Sequence, residues 1–209
     1  MNRTRIKICG VRDVQAALAA ADAGADAVGL MFVARSPRAI DPATGHEIMG
    51  ALPPFVTPVG VVADLDVDAF CDLESECPVP LFQLHGKEDE STVRACGPGI
   101  IKAFRYDKAT IDSQLARWGA VEEVDAVLID GSAGGEGAAF DWAALAPKLD
   151  GFAKRVILAG GLTPENVGEA IRAVRPFAVD VSSGVESSPG VKDAAKIRAF
   201  CASVREADA

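Results

Sequence analysis

The first apolar segment of the chain carries a thiol and an ammonium, at Cys9 and Lys7. In Arg5-Ile6-Lys7-Ile8-Cys9 polar and apolar side chains alternate, which is the period of a β-strand with two unlike faces. If the isoleucines face a helical layer, Lys7 and Cys9 point together to the opposite side. A nearby cation favours the thiolate, which is the reactive form of a cysteine. We expect Gly10 to end this strand.

Other strand-like segments also end in polar side chains. These are Gln83 and His85, Lys102, Asp130, and Asp180 with Ser182. Each has an ordinary explanation alone, such as a loop cap or a lysine whose head reaches water. Burying several such groups without partners is unfavourable. Their common position at strand ends therefore predicts a functional site.

Two glycine-containing turns follow the last two strand-like segments. LAGGL (158–162) and VSSGVE (181–186) let backbone N–H groups approach an anion closely. Either turn could instead be only a tight connection to a helix, but the position favours phosphate binding. A third glycine cluster, 130–142, is long enough to be a mobile loop.

These side chains need a scaffold, and the chain alternates strand-like and helix-like segments eight times. The predicted strands are 5–9, 27–32, 57–63, 80–84, 100–104, 125–130, 155–159 and 177–182. The predicted helices are 13–23, 42–52, 67–76, 88–96, 111–119, 142–149, 164–174 and 192–205. Asp13, Asp41 before Pro42, and Thr163 before Pro164 are the predicted helix caps.

Eight βα units with short connections predict a single (β/α)8 TIM barrel over residues 1–209. The alternative is an open doubly wound sheet. Its usual GxGxxG phosphate motif does not follow the first strand, so the barrel is favoured. In such a barrel the active site lies at the carboxyl ends of the strands.

Net charge and residue composition limit which ligands and partners this protein can have. The net charge is −9, which argues against a nucleic-acid surface. No segment approaches the roughly 18 apolar residues of a membrane span, and no signal peptide is evident. Five cysteines without a CxxC pair fit reduced thiols in the cytoplasm, and two histidines do not make an ordinary metal centre. We expect no cofactor.

Motifs along the whole chain resemble those of phosphoribosylanthranilate isomerases. They are KICG (7–10), AGAD (23–26), SPR (36–38), QLHG (83–86), GGxG (134–137), FDW (140–142), LAGGL (158–162), DVSSGVE (180–186) and PGVKD (189–193). The resemblance implies a tryptophan-biosynthesis enzyme that rearranges N-(5-phosphoribosyl)anthranilate to 1-(2-carboxyphenylamino)-1-deoxyribulose 5-phosphate. It implies no metal and no organic cofactor.

The resemblance also implies roles for residues. Cys9 would be the general base and Asp130 the general acid, the latter kept protonated by burial. Arg38 would bind the anthranilate carboxylate, and Asp180 the ribose hydroxyls. Lys7 and Gln83 would line the substrate site. The 5′-phosphate would meet Gly160, Gly161, Ser182, Ser183 and Gly184.

Some alternatives stay open. Other phosphate-binding barrels, such as indole-glycerol-phosphate synthase or a pentose-phosphate epimerase, would need catalytic lysines and glutamates or metal ligands that this chain lacks. A non-catalytic barrel that binds a phosphorylated metabolite would leave Cys9 and Asp130 idle. We expect a monomer, with a homodimer as the alternative. Glu136 replaces the family's small hydroxyl residue, and we expect it to face solvent.

Overall fold

A closed barrel of eight parallel strands forms the centre of the protein, whose structure is a computed structural model that describes residues 3–131 and 141–209. Each strand pairs with the next in the chain, and the first pairs with the eighth. The strands are β1 (Arg5–Val11), β2 (Ala27–Met31), β3 (Thr57–Val62), β4 (Leu81–Leu84), β5 (Ile100–Arg105), β6 (Val124–Asp130), β7 (Arg155–Ala159) and β8 (Ala178–Val181). The predicted (β/α)8 barrel is confirmed.

A helix follows each strand. The helices are α1 (Val14–Asp22), α2 (Pro42–Ala51), α3 (Val67–Glu76), α4 (Glu90–Cys96), α5 (Ile111–Gly119), α6 (Trp142–Leu145), α7 (Val167–Val174) and α8 (Ala194–Asp208). Short 3₁₀ turns cover Ala146–Leu149 and Ser183–Val185. No helix in 3–131 or 141–209 is long and apolar enough to cross a membrane.

Alternation along the strands separates two apolar cores. Ile6 and Ile8 pack in the outer core between sheet and helices, as predicted. Val59, Leu128 and Ile157 belong to a smaller core inside the barrel. The polar side chains of the site lie above this inner core, because they occupy the inward positions nearest the carboxyl ends of the strands.

Two of the three predicted helix caps are confirmed. Asp13 accepts a hydrogen bond from the Ala16 N–H at 2.7 Å, and Asp41 accepts one from the Thr44 N–H at 2.7 Å. Thr163 does not cap the start of α7, because this helix begins only at Val167. The Thr163 hydroxyl instead accepts from the Glu165 N–H at 3.3 Å, within a turn that precedes the helix.

β1 does not end at Gly10, contrary to the prediction. The strand continues to Val11, with a register shift against β2 between Cys9 and Val11. Gly10 has φ 75°, which is the left-handed region that glycine adopts without strain. A glycine bulge of this kind re-aims the neighbouring side chain, here Cys9, at the end of the strand.

A small antiparallel hairpin, absent from the predicted elements, follows β8. Its strands are β9 (Glu186–Ser188) and β10 (Val191–Lys192). The predicted last helix, 192–205, therefore begins two residues later, at Ala194. The connecting Gly190 has φ 82°, and a Cβ there would lie 2.5 Å from the carbonyl oxygen of Pro37. The hairpin is thus pressed against the loop that carries Arg38.

Candidate active site

A cavity of about 250 Å³ opens at the carboxyl ends of the strands. Nine of the predicted site residues line it: Cys9, Arg38, Gln83, Asp130, Gly160, Gly161, Asp180, Ser182 and Ser183, together with His85. A larger cavity of about 650 Å³ lies at the opposite end of the barrel, around Arg3, Arg155 and Phe177. None of the predicted site residues lines it, so the smaller cavity is the candidate active site.

Lys7 lies beneath this cavity. Its Nζ donates to Asp180 Oδ1 at 2.8 Å and to Gln83 Oε1 at 2.9 Å, and its side chain is 4% exposed. Burial lowers the pKa of Lys7, but the negative charges of Asp180 and the Cys9 thiolate outweigh it, so the pKa is raised. Lys7 is therefore a fixed positive charge under the site.

The Cys9 thiol is buried at the end of β1. Gly29 lies opposite it on β2 and leaves room for the sulfur, because a Cβ there would be 2.8 Å from Sγ. Burial raises the pKa of Cys9, while Lys7 and Lys192 oppose that shift. Lys7 acts in the predicted direction, but burial is the larger effect and the net pKa is raised.

A row of polar contacts joins Lys7 to Asp130. Gln83 accepts from Lys7 through Oε1, so its Nε2 is the atom that donates to His85 Nδ1, at 2.8 Å. The remaining proton of a neutral His85 then lies on Nε2, which is 3.4 Å from Asp130 Oδ2. The Asp130 side chain is 21% exposed, so its predicted burial is incomplete.

Arg38 reaches the cavity from the loop after β2, and it is held by a carboxylate that the sequence analysis assigned no role. Its Nε and Nη2 donate to the two oxygens of Glu186 at 2.7 and 2.8 Å. Lys192 Nζ donates to the same carboxylate at 2.8 Å. The available signal was the pairing of Glu186 with Lys192 across the Pro-Gly turn in VESSPGVK.

The glycine turn after β7 has an unusual backbone. Gly160 and Gly161 have φ 89° and 66°, and both line the cavity. Asn166, which the sequence analysis missed, accepts from the Thr163 N–H at 2.8 Å and donates to the Gly161 carbonyl at 2.9 Å. This side chain therefore holds the turn closed, and an Asn five residues after a double glycine was the only signal of it.

The predicted phosphate residues after β8 do not all face the cavity. The Ser182 hydroxyl donates to the Cys9 carbonyl at 3.1 Å, tying β8 to β1, and Ser183 lines the cavity. A Cβ on Gly184 would overlap the carbonyl oxygen of Leu162. Gly184 thus permits close packing of the two loops and is not among the cavity-lining residues in the described part of the chain.

Lys102 does not belong to the candidate active site, contrary to the prediction. Ile101 and Ala103 point into the barrel, so Lys102 points outward, where it pairs with Glu88 at 2.8 Å. Apolar residues on both sides of Lys102 hide which face of β5 is the inner one. Glu136 lies outside the described residues. Within those residues, no cluster of three or more His, Cys, Asp or Glu side chains could hold a metal ion.

Comparison with known proteins agrees with this geometry. The profile of the N-(5′-phosphoribosyl)anthranilate (PRA) isomerase family matches residues 6–203. The chain is 46% identical over 209 residues to the N-(5′-phosphoribosyl)anthranilate isomerase of Pseudomonas aeruginosa strain LESB58, covering 98% of this chain and 97% of the relative.

Two solved structures show the same fold over nearly the whole chain. One is a phosphoribosyl anthranilate isomerase in complex with reduced 1-(o-carboxyphenylamino)-1-deoxyribulose 5-phosphate, with a TM-score of 0.86, 37% identity, and coverage of 97% of this chain and 99% of that one. The other is a monomeric form generated from the dimeric isomerase of Thermotoga maritima, with a TM-score of 0.85, 35% identity, and coverage of 97% and 99%. The chain belongs to the N-(5′-phosphoribosyl)anthranilate isomerase family and is an enzyme.

Proposed function

We propose that this enzyme converts N-(5-phosphoribosyl)anthranilate to 1-(2-carboxyphenylamino)-1-deoxyribulose 5-phosphate by general acid–base catalysis, as a step of tryptophan biosynthesis. The observation that carries the proposal is one cavity lined by a thiol, a carboxyl group and a guanidinium, at Cys9, Asp130 and Arg38. Family membership supports the choice of substrate. The reduced product analogue held by a relative has the same carboxyphenyl and phosphate groups.

In this mechanism Asp130 starts the reaction. It gives a proton to the ribose ring oxygen, the C1′–O4′ bond breaks, and the nitrogen lone pair forms an iminium ion. Cys9, as thiolate, then removes the C2′ proton to give an enolamine. Return of a proton to C1′ and loss of the C2′ hydroxyl proton produce the ketone, so atoms and charge balance.

The raised pKa of Cys9 has two consequences for that step. Once ionised, the thiolate is a stronger base than an ordinary cysteine, but less of it exists at neutral pH. The iminium ion would add a third positive charge near Cys9, beside Lys7 and Lys192. We infer that ring opening itself promotes ionisation of Cys9, which couples the two steps in the required order.

In the proposed complex the carboxylate, ribose and phosphate groups of the substrate bind to different residues of the cavity. Arg38 binds the substrate carboxylate through two N–H groups of its guanidinium. Asp180 accepts hydrogen bonds from the ribose hydroxyls, and its Oδ1 also accepts from Lys7. Gly160, Gly161 and Ser183 offer backbone N–H groups to the 5′-phosphate, and Ser182 and Gly184 shape that turn. A single domain and a cytoplasmic monomer remain our predictions.

The test is turnover of N-(5-phosphoribosyl)anthranilate, followed as loss of its fluorescence. We expect the wild-type enzyme to turn this substrate over. In the Cys9→Ser and Asp130→Asn variants kcat should fall about 10²-fold or more, with KM little changed. Both replacements keep the side-chain size. A Cys9→Ser enzyme that keeps more than about a tenth of kcat would remove Cys9 as the base. A wild-type enzyme without turnover would favour the non-catalytic barrel.

A further inference from the structure

Two of the N–H donors of the Arg38 guanidinium already form hydrogen bonds before any substrate binds. A guanidinium has five N–H donors, and two of those of Arg38 are used by Glu186 in a fork-to-fork contact of 2.7 and 2.8 Å. Arg38 nevertheless lines the cavity. The clamped edge fixes the plane of the guanidinium, and its other edge is left to meet a ligand.

The net charge of the cluster explains why Arg38 can bind a carboxylate of this protein and still attract a carboxylate of the ligand. Glu186 alone would neutralise Arg38. Lys192, whose side chain is 1% exposed, supplies a second positive charge to the same carboxylate at 2.8 Å. The three side chains together carry a net charge of about +1, which suits a single carboxylate in the cavity.

The surroundings keep this cluster in place. Lys192 also donates to the Ser182 carbonyl at 3.0 Å, which ties the cluster to the end of β8. On the other side Arg38 packs on Gly10, where a Cβ would lie 2.5 Å from Cδ. Lys196 donates to the Glu186 carbonyl at 2.7 Å and so fixes the start of β9.

We infer that Glu186, with Lys192 as its counter-charge, is a positioning residue that aims Arg38 at the carboxylate of the aryl group and thereby sets the preference for a carboxylated arylamine. The inference rests on the proposed function. Glu186 itself touches no substrate in this arrangement. Its effect is exerted through the orientation of Arg38.

The experiment compares two substrates in a Glu186→Gln variant. One is N-(5-phosphoribosyl)anthranilate, and the other is N-(5-phosphoribosyl)aniline, which lacks the carboxylate. Glutamine keeps the size of the side chain but loses the charge that both cations share. We expect kcat/KM for the carboxylated substrate to fall about tenfold or more, mainly through KM, and that for the aniline analogue to change by less than about twofold.

Three further variants complete the design. Ser188→Ala changes an exposed side chain on the same strand and should leave both substrates unaffected. In an Arg38→Ala background, Glu186→Gln should cause no additional loss of discrimination, because its effect passes through Arg38. If Glu186→Gln does not fold, Lys192→Gln tests the same cluster. Because Lys192 also supports the Cys9 thiolate, both substrates should slow, but kcat/KM for the carboxylated substrate should fall more.

An equal loss for both substrates, or no loss for either, would overturn the inference, because a merely structural role of Glu186 cannot distinguish the two ligands. If the wild-type enzyme fails to turn over the carboxylated substrate, the proposed function has failed instead. The two failures are thus told apart by the wild-type measurement.

Discussion

At the scale of single residues, Cys9 depends on its neighbours in opposing ways. Burial raises its pKa, Lys7 and Lys192 lower it, and Asp180 raises it. Strand periodicity alone placed Lys7 beside Cys9. It could not give the net shift, because that depends on what covers the thiol and on Lys192, 183 residues further along the chain.

The reactivity of the Cys9 thiol should depend on pH and on the charge of Lys192. Cys71 is exposed and would react first, so the measurement uses a Cys71→Ser background. Alkylation of Cys9 should accelerate with pH to beyond 9.0, the ordinary thiol value. Replacing Lys192 with Met removes a cation, so the pKa should rise further and the rate at pH 8 should drop about threefold or more.

The matched control is Lys108→Met, which removes the same charge from an exposed position in the β5–α5 connection. Its alkylation profile should overlie that of the background protein, because an exposed charge is screened by solvent. Equal profiles for Lys192→Met and Lys108→Met would mean that Lys192 does not support the thiolate.

At the scale of elements, Gly10 shows how one position serves two parts of the site. Its φ of 75° forms the bulge that shifts the register of β1 against β2 after Cys9, and its missing side chain makes room for Arg38. We expect Gly10→Ala to destabilise the protein by about 1 kcal/mol or more, since a left-handed alanine is strained. We also expect a raised KM, because Arg38 must move.

The control is Gly50→Ala near the end of α2, where an added Cβ would meet no atom within 4 Å. That change should stabilise the protein by about 0.5–1 kcal/mol, since alanine is the better helix former. Both are measured by denaturant unfolding together with steady-state kinetics. A Gly10→Ala enzyme with wild-type KM would show that Arg38 tolerates the extra methyl group.

Some strands and helices were predictable from the sequence and others were not. The eight strands and most helix starts follow from local periodicity and capping, as at Asp13 and Asp41. Lys102 was wrongly grouped with the site residues, because apolar residues occupy both faces of β5 and do not show which face is the inner one. The β9–β10 hairpin was missed because its strands have three and two residues and are stabilised by contacts with the distant Arg38 loop.

At the scale of the whole molecule, barrel closure creates the site from distant parts of the chain. Lys7 lies directly opposite Asp180 where β1 pairs with β8, and Arg38 meets Glu186 across 148 residues. Neither pairing has a local sequence signal, since each requires the first and last strands to be neighbours. The family resemblance predicted binding roles for Arg38 and Asp180, but it predicted neither pairing.

Closure also makes part of the acid stability depend on this cluster. Burial opposes ionisation of Glu186, but hydrogen bonds from Arg38 and Lys192 outweigh it, and the pKa is lowered from 4.5. A carboxyl group with a depressed folded-state pKa stabilises the fold above its unfolded pKa and loses that contribution as pH falls through the folded value. The contribution should thus be complete above about pH 5 and be lost progressively as pH falls below 4.5 and through the lower folded-state pKa.

Glu186→Gln tests this through unfolding free energies measured between pH 3 and pH 8. Removing one partner of a buried ion pair costs on the order of 3 kcal/mol, so wild type should exceed the variant by about that amount at pH 7. The difference should shrink as pH falls below about 4.5, because wild-type Glu186 then takes up a proton that the variant cannot bind. Lys108→Met changes a charge at a position outside the cluster. Its difference from wild type in unfolding free energy should be independent of pH over the same range. If the difference for Glu186→Gln is also constant with pH, Glu186 is not held ionised by Arg38 and Lys192, and the hairpin stabilises the barrel by packing alone.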